Sequence, residues 1–264
     1  MKKSALFFDI DGTLLSEITG KVPESTLRAL EMAKENGHEI FVNTGRTMCS
    51  IVPEITNIDF NGFLCGCGTY IIYNGKELFH SILPEEKCTY YMKLMREHNV
   101  SGVAEALSKM YFTEEKSRFE EMEYIRKSYI ELGGETQNTP KESDKFTYNK
   151  FYICTDEESD TEGFLEKIKP DIFAIDRLKG AYECIQKEYT KATAIEYMRQ
   201  HLGLTMDQIY IFGDSSNDLA MFEYATHAIA MKKHNPVLDP YTEYVTDTVE
   251  NDGIYKAMKH YGLI

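Results

Sequence analysis

Read from its first residues, the chain alternates short apolar runs with amphipathic stretches. Ala5-Leu6-Phe7-Phe8 is continuously apolar, the pattern of a strand covered on both faces. A helix follows, with Pro23 suited to its first turn, apolar positions at Leu27, Leu30 and Ala33, and Gly37 suited to its stop. Ile40-Phe41-Val42 reads as the next strand. A strand, a crossover helix and a strand predict a parallel sheet covered by helices, in which ligands bind beyond the carboxyl ends of the strands. The polar residues that directly follow strands are therefore the ones with a chance of function.

Thr69 to Tyr73, then Asn74-Gly75, then Lys76 to Phe79 predict a β-hairpin, because Asn-Gly between apolar runs suits a two-residue turn. From Leu83 the pattern changes. Phe119, Met122, Ile125, Tyr129 and Leu132 recur at helical spacing, while Lys150–Cys154 and Asp171–Ile175 read as strands. The polar stretch from Gly133 to Lys145 reads as a loop. Residues 83–184 are expected to form a second α/β unit inserted into a first one made of residues 1–82 and 185–264. The strand-helix alternation then resumes: a helix over Thr190–His201, a buried strand over Ile209–Phe212, a strand over His227–Met231 and a last helix over Gly253–Tyr261. The fold class expected is α/β, with a Rossmann-like parallel sheet core and a large inserted α/β domain.

Composition narrows the function. Across 264 residues, 43 Asp and Glu face 29 Lys and Arg, a formal charge of −14. A nucleic-acid binder needs a basic surface, so a nucleic-acid partner is not expected. No apolar run approaches the length of a membrane span, and Asp9 interrupts the first apolar run too early for a signal peptide. The chain reads as cytoplasmic, and its six scattered cysteines as reduced thiols. Cys65-x-Cys67 has neither a partner pair nor a neighbouring His, so a cysteine-ligated metal is not expected. The sequence carries no signal for oligomeric state.

Three loops and one lysine hold the candidate chemistry. Asp9-Ile10-Asp11-Gly12-Thr13-Leu14-Leu15 ends the first strand, and extended backbone turns alternate side chains the same way, so Asp9 and Asp11 can face one point. Alone, the pair suits a solvated strand end better than a site. Asn43-Thr44-Gly45-Arg46 puts a hydroxyl and a tight turn after the second strand, or simply a helix cap at Thr44. Gly213-Asp214-Ser215-Ser216-Asn217-Asp218 follows the later strand; a helix starting inside it would bring Asp214 and Asp218 near one face, though a capping Asp also fits. Lys191, alone, would be a solvated surface lysine.

Together, Asp9-x-Asp11-Gly12-Thr13-Leu14, Thr44-Gly45-Arg46, Lys191 and Gly213-Asp214-x-x-Asn217-Asp218 resemble the four motifs of the haloacid dehalogenase superfamily. The insertion between the second motif and the lysine resembles the Cof-type phosphatases, and the resemblance spans essentially the whole chain. It implies a Mg²⁺-dependent phosphatase of a small phosphorylated metabolite, a sugar phosphate or a nucleotide or cofactor phosphate. It implies Asp9 as nucleophile forming an aspartyl-phosphate and Asp11 as general acid, then base. It implies substrate contacts from Ile10, Thr44, Gly45, Lys191 and Asn217. Mg²⁺ would be held by Asp9, Asp11 through its backbone carbonyl, Asp214 and Asp218, the last in support of the metal shell. The inserted domain would act as a cap that excludes water.

A charge count gives that metal a physical purpose. Four carboxylates are balanced by Mg²⁺, Lys191 and a proton on Asp11, so a phosphate dianion can enter. Without the ion it would meet like charges at about 4 kcal/mol per close pair at intermediate dielectric. Ala192 after the lysine, Cys67 where asparagine is usual, and Lys232-Lys233 where Gly-Asn is common depart from the family pattern near the cleft edge. Phosphoryl transfer of the phosphomutase type and a non-catalytic ligand-binding protein of the same fold are the alternative readings.

Overall fold

A computed structural model describes residues 3–138, 140 and 144–264. The chain begins with β1 (Ala5–Phe8), α1 (Glu24–Glu35), β2 (Glu39–Asn43), α2 (Pro53–Thr56), β3 (Gly62–Cys65), β4 (Tyr70–Tyr73) and β5 (Lys76–His80). It continues through α3 (Glu85–Glu97), β6 (Ser101–Glu105), β7 (Met110–Phe112), α4 (Glu120–Glu131), β8 (Thr136–Asn138), β9 (Lys150–Cys154), α5 (Thr161–Ile168), β10 (Ile172–Asp176) and β11 (Ala181–Gln186). It ends with α6 (Lys191–His201), β12 (Ile209–Gly213), α7 (Leu219–Tyr224), β13 (His227–Ala230), β14 (Tyr244–Val245) and α8 (Gly253–His260).

Two compact units result. The first comprises the residues up to Gly45, Val52–Phe79 and Tyr189–Ile264; the second comprises Arg46–Ile51 and His80–Glu188. Arg46–Ile51, which the sequence puts with the first unit, thus groups with the second.

In the first unit the sheet order is β14-β13-β12-β1-β2-β3-β4-β5. Strands β14 to β3 run parallel, and β4 turns antiparallel against β3. The central strand β1 is fully buried, and its alternating side chains serve two layers. Phe7 stacks on Phe41 at 4.9 Å and packs with Ile195 and Met198 of α6. Leu6 and Phe8 point the other way, and Phe8 stacks on Phe212 at 4.5 Å. This burial on both faces is the physical reason for an uninterrupted apolar run. It also leaves the carboxyl ends of β1, β2 and β12 as the places where polar loops emerge side by side.

The second unit is a six-stranded sheet of order β10-β11-β9-β6-β7-β8, antiparallel except for the β7–β8 pair. Ala104, Phe151, Ile153 and Cys184 form one face with Tyr91 and Met95 of α3 and Phe164 of α5. Val103, Met110 and Phe112 form the other with Met122 and Tyr129 of α4. One expectation needs correction here: Gly133 to Lys145 is not all loop, because Thr136–Asn138 form β8, parallel to β7. Backbone groups at an open sheet edge pair whatever the side chains are, so a three-residue polar strand leaves no periodic signature. Residues 139 and 141–143 of that stretch lie outside the described residues.

Candidate active site

Asp9 follows β1 directly, and its amide donates to the Phe212 carbonyl at 2.9 Å, so the ladder with β12 fixes the first carboxylate against the strand that bears the Gly213–Asp218 loop. The chain then turns sharply. The Ile10 carbonyl accepts the amides of Thr13, Leu14 and Leu15 at 3.3, 3.0 and 2.8 Å, and the Ile10 side chain is fully buried. Gly12 has φ +76°, and a Cβ there would lie 2.5 Å from Asp214 Oδ2. Only glycine meets both demands. Asp11 is partly exposed, at the edge of the same turn.

After β12, Asp218 organises the loop. Its Oδ2 accepts the amides of Asp214 and Ser215, both at 2.9 Å, and its Oδ1 accepts Lys191 Nζ at 2.6 Å. Lys191 is the first residue of α6, capped by Thr190, whose hydroxyl accepts the Thr193 amide in a reciprocal capping box. The Lys191 side chain is fully buried and bridges Asp9 Oδ1 at 2.7 Å as well as Asp218, with Asn217 Oδ1 at 3.2 Å. Ser215 Oγ donates to the same Asn217 oxygen at 2.8 Å. One oxygen from each of Asp9, Asp214 and Asp218 lies within 4.8 Å of the others. Thr44 and Gly45 are buried directly after β2, and the Thr44 amide donates to Leu64 while its carbonyl accepts the Cys67 amide. Cys67 itself is buried in the left-handed region with φ 53°, a conformation more usual for asparagine or glycine.

The electrostatics follow from burial. Burial raises Asp9 to about 7; Asp218 and Asp11 push the same way and Lys191 opposes. Burial, then the charges of Asp218 and Asp9, raise Asp214 to about 9 against the Thr13 hydrogen bond. Burial works against the charge on Lys191, but the carboxylates of Asp218 and Asp9 outweigh it and hold the ammonium well above its usual range. Three carboxylates around a single lysine leave surplus negative charge, which a divalent cation with hard oxygen preferences fits. Without a cation, burial and the neighbouring carboxylates favour the protonated form of Asp214.

Two residues escaped the sequence reading. Thr13 donates to Asp214 Oδ1 at 2.8 Å and so aims that carboxylate. Its only signal was its place inside the first motif. Asn43, fully buried at the end of β2, donates through Nδ2 to the Lys191 carbonyl at 3.1 Å. Nothing in the sequence singled it out from the two residues after it.

Comparison with known proteins makes this parallel-sheet α/β protein a hydrolase of the phosphatase type. The chain belongs to the haloacid dehalogenase-like hydrolases, whose family model matches residues 6–258. It is 26% identical over 266 residues to YkrA of Bacillus subtilis, covering the whole of both chains. It is 24% identical over 263 residues to the 5-amino-6-(5-phospho-D-ribitylamino)uracil phosphatase YcsE of the same organism, covering 97% of this chain and 94% of that one. Among solved structures, the haloacid dehalogenase subclass IIB sugar phosphatase BT4131 superposes with a TM-score of 0.83 at 26% identity, over 99% of this chain and 100% of that one. Among the described residues no helix is long and apolar enough to cross a membrane.

Proposed function

We propose that the protein is a Mg²⁺-dependent phosphatase of a small phosphorylated metabolite and works through an aspartyl-phosphate. The observation that carries this reading is the buried Lys191 held at 2.7 Å from Asp9 and 2.6 Å from Asp218, with Asp214 as a third, surplus carboxylate within 4.8 Å of both acids. In this reading an Asp9 oxygen forms a bond to phosphorus while the ester P–O bond breaks. Asp11 donates its proton to the departing alcohol oxygen. Asp11 then takes a proton from water as the water oxygen bonds to phosphorus, and the Asp9–phosphorus bond breaks to release inorganic phosphate. Lys191, Thr44, Asn217 and the amides of Ile10 and Gly45 stabilise charge on the phosphoryl oxygens.

Asp9, Asp214 and the Asp11 carbonyl would hold Mg²⁺, with Asp218 supporting their loop. The ion would neutralise the carboxylates and admit a phosphate dianion. The domain over residues 83–184 supplies specificity for the alcohol part. The named activities of YcsE and BT4131 favour a phosphorylated sugar or ribityl-type metabolite.

The test is phosphate release from p-nitrophenyl phosphate, followed by a panel of sugar, nucleotide and cofactor phosphates. Turnover is expected to vanish in EDTA and return with Mg²⁺. Full activity in chelator would sink the mechanism.

A further inference from the structure

Asn43 occupies the last position of β2, with no side-chain exposure, between the strand and the Thr44-Gly45 turn. One donor hydrogen of its amide goes to the Lys191 carbonyl at 3.1 Å and a weaker contact reaches Met221 Sδ at 3.6 Å, while its Oδ1 is buried without a hydrogen-bond partner among the described residues. Because the Lys191 carbonyl and the thioether sulfur only accept, the amide cannot be turned round to satisfy its oxygen. A buried neutral hydrogen bond contributes less than an orphaned buried acceptor costs. Stability therefore gives no account of an asparagine here, since an apolar side chain would avoid the orphan.

The amide does hold something in place. Lys191 opens α6, and the orientation of that first turn sets where its Nζ falls between Asp9 and Asp218. A second close approach supports the same turn: Gly68, at φ +94°, comes so near that a Cβ would lie 2.4 Å from the Thr190 carbonyl.

We infer that Asn43 is a positioning residue: it ties the first turn of α6 to the end of β2, so that Lys191 and the Thr44-Gly45 turn keep a fixed relation during phosphoryl transfer. The inference rests on the phosphatase reading. Its signature is opposite in sign to that of a packing residue, because removing the amide removes both the tie and the orphan.

The experiment uses the full chain with Mg²⁺ and p-nitrophenyl phosphate, comparing wild type with Asn43→Val and Asn43→Ala. In Asn43→Val, kcat is expected to fall roughly 10- to 100-fold and KM to change less than threefold, with vanadate inhibition weakening in parallel. Its urea midpoint should equal or exceed that of wild type. Asn43→Ala opens a cavity, so its midpoint should drop while its kcat matches that of Asn43→Val. Turnover within threefold of wild type in both variants overturns the inference. So does a loss of activity that follows the loss of stability from one variant to the other. A wild-type protein that releases no phosphate refutes the phosphatase reading itself, a distinct outcome visible before any variant is made.

Discussion

Among the described residues two lysines are buried, each flanked by two carboxylates, and only one of them belongs to the candidate site. Lys191 lies 2.7 and 2.6 Å from Asp9 and Asp218. Lys150, in the second unit, lies 3.3 and 2.6 Å from Glu105 and Glu183. Their supports differ. Lys150 and its partners all sit on strands, with Glu105 directly opposite Lys150 across the β6–β9 pair, and burial raises Glu105 while Lys150 and the nearby Arg46 lower it. Glu105 and Glu183 thus share Lys150, and Glu105 also feels the charge of Arg46. Around Lys191 the acids come from loops after strands, and a third carboxylate, Asp214, takes part in no ion pair among the described residues and is held instead by the Thr13 hydroxyl. A lysine between two acids is therefore no mark of a site; the unbalanced acid is.

The comparison breaks most visibly at the acids. Asp9→Asn should lower turnover of p-nitrophenyl phosphate by roughly 10⁴-fold or more and abolish covalent phosphate detectable by intact mass. Glu105→Gln should stay within about threefold of wild type. Equal losses in the two variants would erase the distinction.

Next in size is the buried lysine of the second unit. Lys150→Met leaves Glu105 and Glu183 facing each other without their shared cation and should cost about 3–5 kcal/mol of stability. Urea unfolding reads that loss, and kcat of the folded protein should hold. A kcat collapse with an unchanged midpoint would make Lys150 a partner in the chemistry.

Gly12→Ala probes the surplus acid from its backbone side. The left-handed conformation alone costs a non-glycine residue about 1–2 kcal/mol, and the new Cβ must displace the Asp214 carboxylate. The variant should need more Mg²⁺ for half-maximal turnover. An unchanged requirement would remove Asp214 from the ion.

The smallest effect belongs to an exposed pair in the second unit. Hydrogen bonds from Arg118, at 2.7 and 2.8 Å, hold Asp156 down at about 2. A depressed acid stabilises the fold fully above its unfolded pKa of about 4 and loses that contribution as pH falls toward 2. Arg118→Ala should lower the unfolding midpoint slightly at neutral pH and flatten its fall below about pH 4, so that the two proteins converge toward pH 2, which a titration of thermal unfolding would check.

Much of this was legible in the sequence because the informative residues carry strong local signals. Apolar runs give β1 and β12, Asn74-Gly75 gives the β4–β5 turn, and short polar motifs follow the strands of the parallel sheet. What sequence alone did not yield depends on contacts between distant residues. Thr136–Asn138 becomes a strand only because β7 offers a free edge. Asn43 gains its meaning from a carbonyl far along the chain, and Asp218 reads as a helix cap until Lys191 is beside it. Arg46, read as part of a turn motif, groups with the second unit through its tertiary neighbours.

One feature of the topology bears on how the protein is made. Strand β1 pairs on one side with β2, which follows it closely in sequence, and on the other with β12, about 200 residues further along. At about 5–20 residues per second, the nascent chain would carry Asp9 for on the order of ten seconds or longer before Lys191 and Asp218 exist to receive it. The complete inserted unit emerges in that interval, with all the strands of its own sheet. Assembly of the charged centre thus waits on the later part of the chain, and a chain truncated before α6 would hold the first acid without Lys191, Asp214 or Asp218.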